Sequence, residues 1–168
     1  MRILKTSDIT DTTAMPLKSG SIQHIQDAAK EAIAQVVISR IIGYSTSSVY
    51  ILHGCENSSA DPTFVISAGA VFYNGEIYLV DEAIFSVTGS DTAVGNIVTT
   101  YFSADNADPV LFTDGEQRNV HEIRKMVFSA GLSGSGVVNF SALKSGAPDV
   151  MIGEIKYVAM ATGDISTH

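Results

Sequence analysis

The chain has 168 residues, of which 45% are hydrophobic, so it is long enough to bury the core of one domain. Its formal net charge is −8, and no lysine and arginine cluster interleaves with aromatic residues, which argues against a nucleic-acid groove. Only 17% of the residues are charged, below the usual fraction of about a quarter. Together with abundant Gly, Ser and Thr, this is typical of an all-β protein with many turns or of a protein that hides surface in an assembly.

Residues 1–18 are polar and threonine-rich, and they are predicted to form an extended N-terminal arm. Lys5, Asp8 and Asp11 interrupt any apolar run, so no signal peptide is expected and synthesis is expected in the cytoplasm. No stretch reaches the roughly 18 apolar residues of a membrane span, so none is predicted. In an assembly, an arm of this kind often lies on a neighbouring subunit.

Residues 19–43 are predicted to form a helix. Ser19 or Ser21 can serve as the N-cap, because a serine hydroxyl can accept a hydrogen bond from a free backbone N–H of the first turn. Gly43 is the predicted terminator, since glycine readily adopts the left-handed conformation found at helix ends. Arg40 lies near the C-terminus of the segment, where a positive charge suits the helix dipole.

One face of this predicted helix is apolar at three- and four-residue spacing. That spacing suits a short helical bundle between subunits, and packing of the helix on the chain's own sheet is the alternative. The segment offers about three heptads at most, which are too few to decide between the two. The candidate partner-contact residues are Ile22, Ile25, Ala29, Ile33 and Val36.

The strongest local signal is a β-hairpin that turns on Asn74-Gly75. A two-residue type I′ turn needs positive φ at both central residues, which glycine adopts without steric cost and asparagine tolerates. The arms, 70–73 and 76–80, are rich in the β-branched and aromatic residues that suit a pleated surface. The turn is interpreted as a chain reversal, with no ligand assigned to it.

Short strands with turn signals between them extend over residues 44–160. The pattern predicts a mainly β fold, an antiparallel β-sandwich or barrel-like domain preceded by one N-terminal α-helix and followed by a polar tail at 161–168. Residues 120–128 fit a strand or a helix, and the strand is favoured because its surroundings are strands. Residues 131–136 are predicted to be a flexible loop. The predicted strands are 48–53, 63–67, 70–73, 76–80, 83–88, 95–103, 110–112, 120–128, 137–141 and 150–160.

No residue pattern predicts a catalytic, cofactor-binding or metal site. His121-Glu122 begins like a zinc-binding HExxH motif, but position 125 is lysine. No serine lies in a GxSxG elbow, and the Gly-Ser-Gly run lacks the GK[ST] ending of a phosphate-binding loop. A carboxylate-rich stretch lacks the ligand spacing of a calcium loop and is interpreted as turn-forming. Its members are Asp105, Asp108, Asp114 and Glu116.

Cys55 is the only cysteine, so the chain cannot form an internal disulfide. It is interpreted as a small, partly buried residue rather than a nucleophile. The tyrosines support a second hypothesis, a carbohydrate-binding β-sandwich module, because aromatic rings can line a sugar-binding surface. The alternative is that they pack across neighbouring strands with the hydroxyl at the rim. These residues are Tyr44, Tyr50, Tyr73, Tyr78, Tyr101 and Tyr157.

Several stretches resemble structural proteins of tailed bacteriophages and prophages. Residues 52–55, LHGC, are followed at 64–78 by FVISAGAVFYNGEIY. A segment of the form G-C … S-A-G-x-V-x-x-N-G-E-x-Y follows a short helix in tail-fibre, head-fibre and baseplate-type components. The PLKSGS run at 16–21 and the DPVLFTDG run at 108–115 are similar to the same proteins. The likeness extends loosely over residues 16–128 and carries no catalytic residue.

The resemblance implies a non-enzymatic structural protein of the virion, made in the host cytoplasm. The chain contains no repetitive shaft, which favours a short fibre, fibre base, adaptor or baseplate-type component. Proteins of this style are commonly homo-oligomers and often trimers. The expected partners are therefore further copies of the chain and other virion proteins, with a host-surface glycan as a further candidate. No cofactor, nucleic acid or membrane span is expected.

Overall fold

The computed structural model describes residues 18–101 and 109–145, which belong to two units. The helical unit contains the described residues 18–44, and the β unit contains those from 45 onward. The predicted arm before residue 18, the predicted strand 150–160 and the predicted tail 161–168 lie outside the described residues. The predicted class, mainly β with a barrel-like domain and one N-terminal helix, is confirmed.

The helix of the helical unit, α1, spans Ser19–Ile38. Lys18 occupies its N-cap position and makes no side-chain capping hydrogen bond, so the prediction of a serine cap at Ser19 or Ser21 is wrong. The backbone N–H of Ser21 donates to the Lys18 carbonyl at 2.9 Å, which places both serines inside the first turn. A serine inside the turn has helical backbone angles, whereas an N-cap residue needs an extended backbone.

The helix also ends earlier than predicted, at Ile38 rather than near Gly43. The Ser39 hydroxyl donates to the Val36 carbonyl at 2.8 Å and so competes for a helical backbone group. The Ser39 N–H still donates four positions back, to the Gln35 carbonyl, whereas those of Arg40 and Ile41 donate to carbonyls three positions back, which tightens the chain into turns. Gly43 does adopt a left-handed conformation, with φ of +68°, but it lies in these turns.

The β unit is built around a curled, half-barrel sheet of seven strands, together with two separate two-stranded ribbons. The described strands are β1 (Tyr50–Gly54), β2 (Thr63–Ile66), β3 (Gly69–Tyr73), β4 (Glu76–Val80), β5 (Ala83–Ser86), β6 (Asp91–Tyr101), β7 (Val110–Leu111), β8 (Gln117–Arg118), β9 (Glu122–Leu132), β10 (Val138–Asn139) and β11 (Lys144–Ser145). The order in the large sheet is β10-β6-β9-β4-β3-β1-β11, and the ribbons are β2-β5 and β7-β8.

The predicted hairpin is confirmed as β3 and β4. Tyr73 pairs with Glu76 across the turn, and the register continues to Gly69 opposite Val80. Asn74 and Gly75 have φ of +47° and +83°, the two positive values that a type I′ turn requires. The asparagine-glycine pair therefore determines the register of two central strands.

The segment predicted at 120–128 is a strand, as favoured, and it is longer than predicted. β9 pairs with β6 in an antiparallel ladder that runs from Asp91 opposite Leu132 to Tyr101 opposite Glu122. The ladder takes in Gly131, which the sequence placed in a flexible loop, so that boundary is wrong. A Cβ at Gly131 would lie 2.7 Å from the Val94 side chain, so glycine makes room there for a buried valine.

Two pairings in the large sheet are parallel, while the others are antiparallel. β4 runs parallel to β9, with Leu79 opposite Lys125 and Val80 opposite Met126. β11 runs parallel to β1 at the sheet edge, with Tyr50 opposite Lys144. Parallel neighbours need a crossover rather than a tight turn, so no local sequence signal announces them.

Buried residues lie on both faces of the large sheet, since the neighbouring Val71 and Phe72 are each 0% exposed. The main hydrophobic cluster lies on the face that carries Val71, Tyr78 and Met126. The β2-β5 ribbon and a 3-10 turn at Phe140–Ala142 contribute the residues that pack against this face. Four aromatic rings link these pieces in a chain, with centroid separations of 5.5 Å for Phe64–Phe85, 6.0 Å for Phe64–Phe140 and 5.3 Å for Phe128–Phe140. The curled sheet is therefore filled by segments of its own chain.

Gly75→Ala is expected to lower the free energy of unfolding by about 1–2 kcal/mol, because an L-residue pays roughly that cost in the left-handed region. Urea denaturation followed by circular dichroism measures it. The matched control is Gly20→Ala in α1, where φ is not positive and an added Cβ meets nothing within 4 Å. That control is expected to stabilise the protein by about 0.5–1 kcal/mol. A Gly75→Ala protein as stable as the wild type would contradict the turn geometry.

Candidate functional site

The candidate partner-contact residues form one exposed apolar stripe along α1. Ile22 is 45% exposed, Ile25 52%, Ile33 53% and Val36 63%, and Ala29 is exposed as well. These five residues are called the apolar stripe below. A row of large apolar side chains exposed on one helix face is a candidate interaction surface.

The opposite face of α1 is the less exposed one. Ala34 is buried at 7% exposure, and Ala28, Glu31 and Ile38 are half-buried. An amphipathic helix normally covers its apolar side and leaves its polar side in water. Here the side with the larger aliphatic residues is left in water. A partner contact through the stripe stays a prediction.

Cys55 lies where β1 turns back toward β3. Both Gly54 and Cys55 have positive φ, at +62° and +58°, which turns the chain sharply. A Cβ at Gly69 would lie 2.3 Å from the His53 carbonyl oxygen and 2.8 Å from the Cys55 sulfur. Glycine at 69 is therefore required by the close approach of two backbone segments.

The Cys55 side chain is only 2% exposed, and burial raises the pKa of its thiol. A protonated, buried thiol is a poor nucleophile, because the thiolate is the reactive form. The interpretation of Cys55 as a small packing residue therefore fits its position. An open cleft of about 490 Å³ adjoins it, with Ile51, Phe140 and Leu143 on its apolar side and Asn57 on its polar side.

The Asn57 side chain in that cleft already serves the backbone. Its Oδ1 accepts hydrogen bonds from the N–H of Val65 at 2.9 Å and of Ser59 at 3.3 Å. Its Nδ2 donates to the Ser59 carbonyl at 3.0 Å. These bonds tie the loop after β1 to β2, so the amide acts as a clamp within the fold.

A polar cluster lies where β4 and β9 run side by side. Arg124 forms an ion pair with Glu76, and the Tyr78 hydroxyl donates to the same carboxylate at 3.2 Å. The Arg124 guanidinium also lies 5.3 Å from the centre of the Tyr78 ring. Burial and the neighbouring Glu76 charge raise the pKa of Tyr78. The tyrosine therefore stays neutral across the physiological range, which suits a structural role.

Of the carboxylates interpreted as turn-forming, Asp114 accepts a hydrogen bond from the Glu116 N–H at 3.1 Å. Arg118 donates to both of its oxygens, at 3.1 and 2.7 Å, and the hydrogen bond to Arg118 lowers the pKa of Asp114. The same guanidinium lies 4.7 Å from the centre of the Phe112 ring. Asp105 and Asp108 lie outside the described residues.

The tyrosines of the β unit do not form one exposed aromatic surface within the described ranges. Tyr50 and Tyr78 are buried, at 2% and 3% exposure. Tyr73 is half-buried, and Tyr101 is 53% exposed. Tyr157 lies outside the described residues. Strand packing, the alternative interpretation of these residues, fits Tyr50 and Tyr78.

A second groove of about 350 Å³ was missed by the sequence analysis. It brings Ser47 and Ser48 together with Lys144, and it is called the lysine groove below. The Lys144 Nζ donates to the Ser48 Oγ at 2.8 Å and lies 5.8 Å from the centre of the Tyr50 ring. The two-residue strand β11 that carries the lysine has no sequence signal of its own, so nothing local could have predicted this arrangement.

A metal-binding cluster and a membrane-spanning helix are both absent from the ranges that the structure describes. No group of three or more His, Cys, Asp or Glu residues there is arranged to hold a metal ion. No helix there is both long enough and apolar enough to cross a membrane.

No protein-family model matches the chain, and no curated protein matches it either. Among solved structures, the chain is similar to the C24 protein from the Antarctic microorganism Bizionia argentinensis, with 18% sequence identity and a TM-score of 0.41. The match covers 74% of this chain and 36% of that one, so this chain spans little more than a third of that protein's length. A likeness this distant assigns neither an activity nor a partner.

The Cys55 thiol is expected to react with a thiol reagent at least about tenfold more slowly in the folded protein than in urea, because burial shields it and disfavours the thiolate. Stopped-flow absorbance measures both rates. The folded thiol also keeps its proton to higher pH than the unfolded one. Stability is therefore expected to fall as pH rises above about 9, the unfolded pKa. In Cys55→Ala that contribution to the alkaline loss disappears. Equal reaction rates in the two states would contradict burial of the thiol.

Proposed function

We propose that the protein is a non-enzymatic structural component of a tailed phage or prophage virion that works by assembling with copies of itself. The apolar stripe on α1 carries this proposal. In the single chain its aliphatic side chains remain about half in water. A second copy is a partner that is always present at the same concentration and offers the same stripe.

The energetics favour such an association. Burying a fully exposed isoleucine or valine side chain contributes about 1.5–3 kcal/mol, so a side chain that is already half buried contributes roughly half of that. Each chain offers Ile22, Ile25, Ile33 and Val36, so a bundle gains several such contributions. This gain has to exceed the loss of translational and rotational freedom, which is on the order of 4–15 kcal/mol. In a bundle of two or three helices, the summed gain from burying the stripes approaches that entropic cost.

A trimer is the favoured case, because the phage proteins that the sequence resembles are often trimers. In parallel coiled coils, isoleucine at both apolar positions of the heptad shifts the preference from dimers toward trimers. Ile22 and Ile25 occupy these two positions in the first heptad, whereas Ala29 and Ala32 occupy them in the second. α1 is about 30 Å long, since each helical residue rises about 1.5 Å. That length suits a short bundle.

The virion part of the proposal rests on the sequence resemblance centred on residues 64–78 and on surface composition. The hairpin at the centre of that resemblance has five paired positions and the two positive φ values of its turn. A weakly charged, hydroxyl-rich chain suits a protein whose surface meets other subunits. In this role the protein makes and breaks no covalent bonds.

The purified wild-type protein is expected to have a mass of several chains, three in the favoured case, by light scattering after gel filtration. Ile25→Asn combined with Val36→Asn is expected to shift the protein toward monomer, because both changes place polar amides in the apolar stripe. The matched control is Gln26→Asn with Gln35→Asn, which alters exposed polar positions of the same helix. That control is expected to keep the wild-type mass. A wild-type monomer at every concentration, or a stripe variant with unchanged mass, would contradict the proposal.

The virion assignment has its own test, which does not depend on the oligomer number. Particles induced from a strain that carries the gene are expected to contain the protein after density-gradient purification, as detected by mass spectrometry. Particles made after deletion of the gene serve as the control. Detection of the protein in cells but never in particles would remove the virion assignment and leave the assembly proposal standing.

A further inference from the structure

Three of the four lysine and arginine residues of the described β unit form ion pairs with carboxylates. Arg118 pairs with Asp114, Arg124 with Glu76, and Lys125 with Asp81. Lys144 makes no ion pair with any described residue and donates instead to the Ser48 hydroxyl. Lys144 is thus the one of these four cations of the described β unit that has no carboxylate partner among the described residues.

None of the described residues that line the groove around this lysine is acidic. Its described lining consists of hydroxyl, amide, small and aliphatic groups besides Lys144 itself. Ser47 is exposed, and its hydroxyl lies 2.9 Å from that of Ser45. The Asn139 side chain is held in place, since it accepts from the Gly134 N–H at 3.1 Å and donates to Ser133 at 2.7 Å.

The lysine is also held in position. Its backbone N–H donates to the Val49 carbonyl at 3.0 Å, and β11 pairs in parallel with β1. Its ammonium lies beside the Tyr50 ring, where a cation is attracted to the aromatic face. A positioned ammonium loses less side-chain entropy on binding than a freely rotating one.

We propose that the lysine groove binds an oxyanion, a carboxylate, sulfate or phosphate group, with Lys144 as the charged donor and the hydroxyls of Ser47 and Ser48 as further donors. Ammonium and hydroxyl groups that converge on one groove are the donors that such anions prefer, and hydrogen bonds to a charged partner are stronger than neutral ones. This site is independent of the proposed assembly through α1. Because the protein is acidic and the groove is open, binding is expected to be weak and to decrease with salt.

The test is a titration of the full-length protein, followed through the backbone amide signals of Ser47, Ser48, Gly134 and Gly136 by NMR. The probes are sulfate, phosphate, glucuronate and glucose, at constant ionic strength. Saturable shifts of these signals are expected with at least one anionic probe and not with neutral glucose. Tighter binding of glucuronate than of sulfate or phosphate would identify a carboxylate on a sugar as the ligand, and the reverse would identify a free oxyanion.

Lys144→Gln is expected to weaken binding by about tenfold or more, since it removes one charge-assisted hydrogen bond. Lys125→Gln is the matched control, because it removes the same charge from a lysine that is paired with Asp81. Ser48→Ala keeps the lysine and is expected to weaken binding less than Lys144→Gln does. Lys144→Arg is expected to retain binding, which separates charge from a packing role.

The proposal would be overturned by shifts that never saturate, or by glucose binding as well as glucuronate. It would also be overturned if Lys144→Gln bound with the wild-type dissociation constant, or if Lys125→Gln lost as much affinity as Lys144→Gln. The amide spectrum of each unliganded variant shows whether the fold is kept. If Lys144→Gln alters the fold, Ser48→Ala and Lys144→Arg still decide, since an unchanged Ser48→Ala affinity together with loss in Lys144→Arg contradicts the assigned donors.

Discussion

A curled sheet has one concave face, and covering that face is the constraint on which the β unit depends. Val71 of β3, Tyr78 of β4 and Met126 of β9 point to it, and leaving such side chains in water would cost roughly 25 cal/mol for each Å² of apolar surface. The chain covers the face with the β2-β5 ribbon and with Phe140, whose ring lies edge-on to those of Phe64 and Phe128. Because Phe140 docks there, the residues just after it are brought to the edge of β1, which is how Lys144 comes to lie beside Ser48.

The helical unit exposes its larger aliphatic side chains in one row, since α1 keeps Ile25 and Val36 more than half exposed. The β unit buries a core of its own but also leaves Leu79, Ile84 and Leu111 more than half exposed. The folding of one chain does not explain the exposed aliphatic side chains of α1, since apolar surface that stays in water contributes nothing to stability. The apolar stripe is therefore the surface on which the proposed assembly rests. In the β unit, glycine permits close approaches of the backbone, because at Gly54 and Gly69 even one methyl group would collide with backbone.

Local sequence patterns predicted some elements of the fold correctly and gave no signal for others. The β3-β4 hairpin was predictable because Asn74-Gly75 satisfies positive φ with no help from distant residues. The end of α1 was not, since Ser39 competes for the Val36 carbonyl and ends the helix before Gly43. The burial of Tyr50 and Tyr78 was not predictable either, because a tyrosine on a strand looks the same in sequence whether its face meets the core or the solvent. For the same reason, the sequence did not show which face of α1 is covered.

By itself, the sequence determined the β-rich class, the single N-terminal helix, the hairpin and the spacing of the apolar stripe, because each depends on residues that lie within a turn or two of one another. Only the tertiary structure decided the parallel pairings of β4 with β9 and of β1 with β11, the aromatic filling of the concave face and the meeting of Lys144 with Ser48. Those contacts join segments that are far apart along the chain. Each segment pairs with the surface that is still unburied after the local elements have formed. A local sequence pattern carries no information about which surface that is.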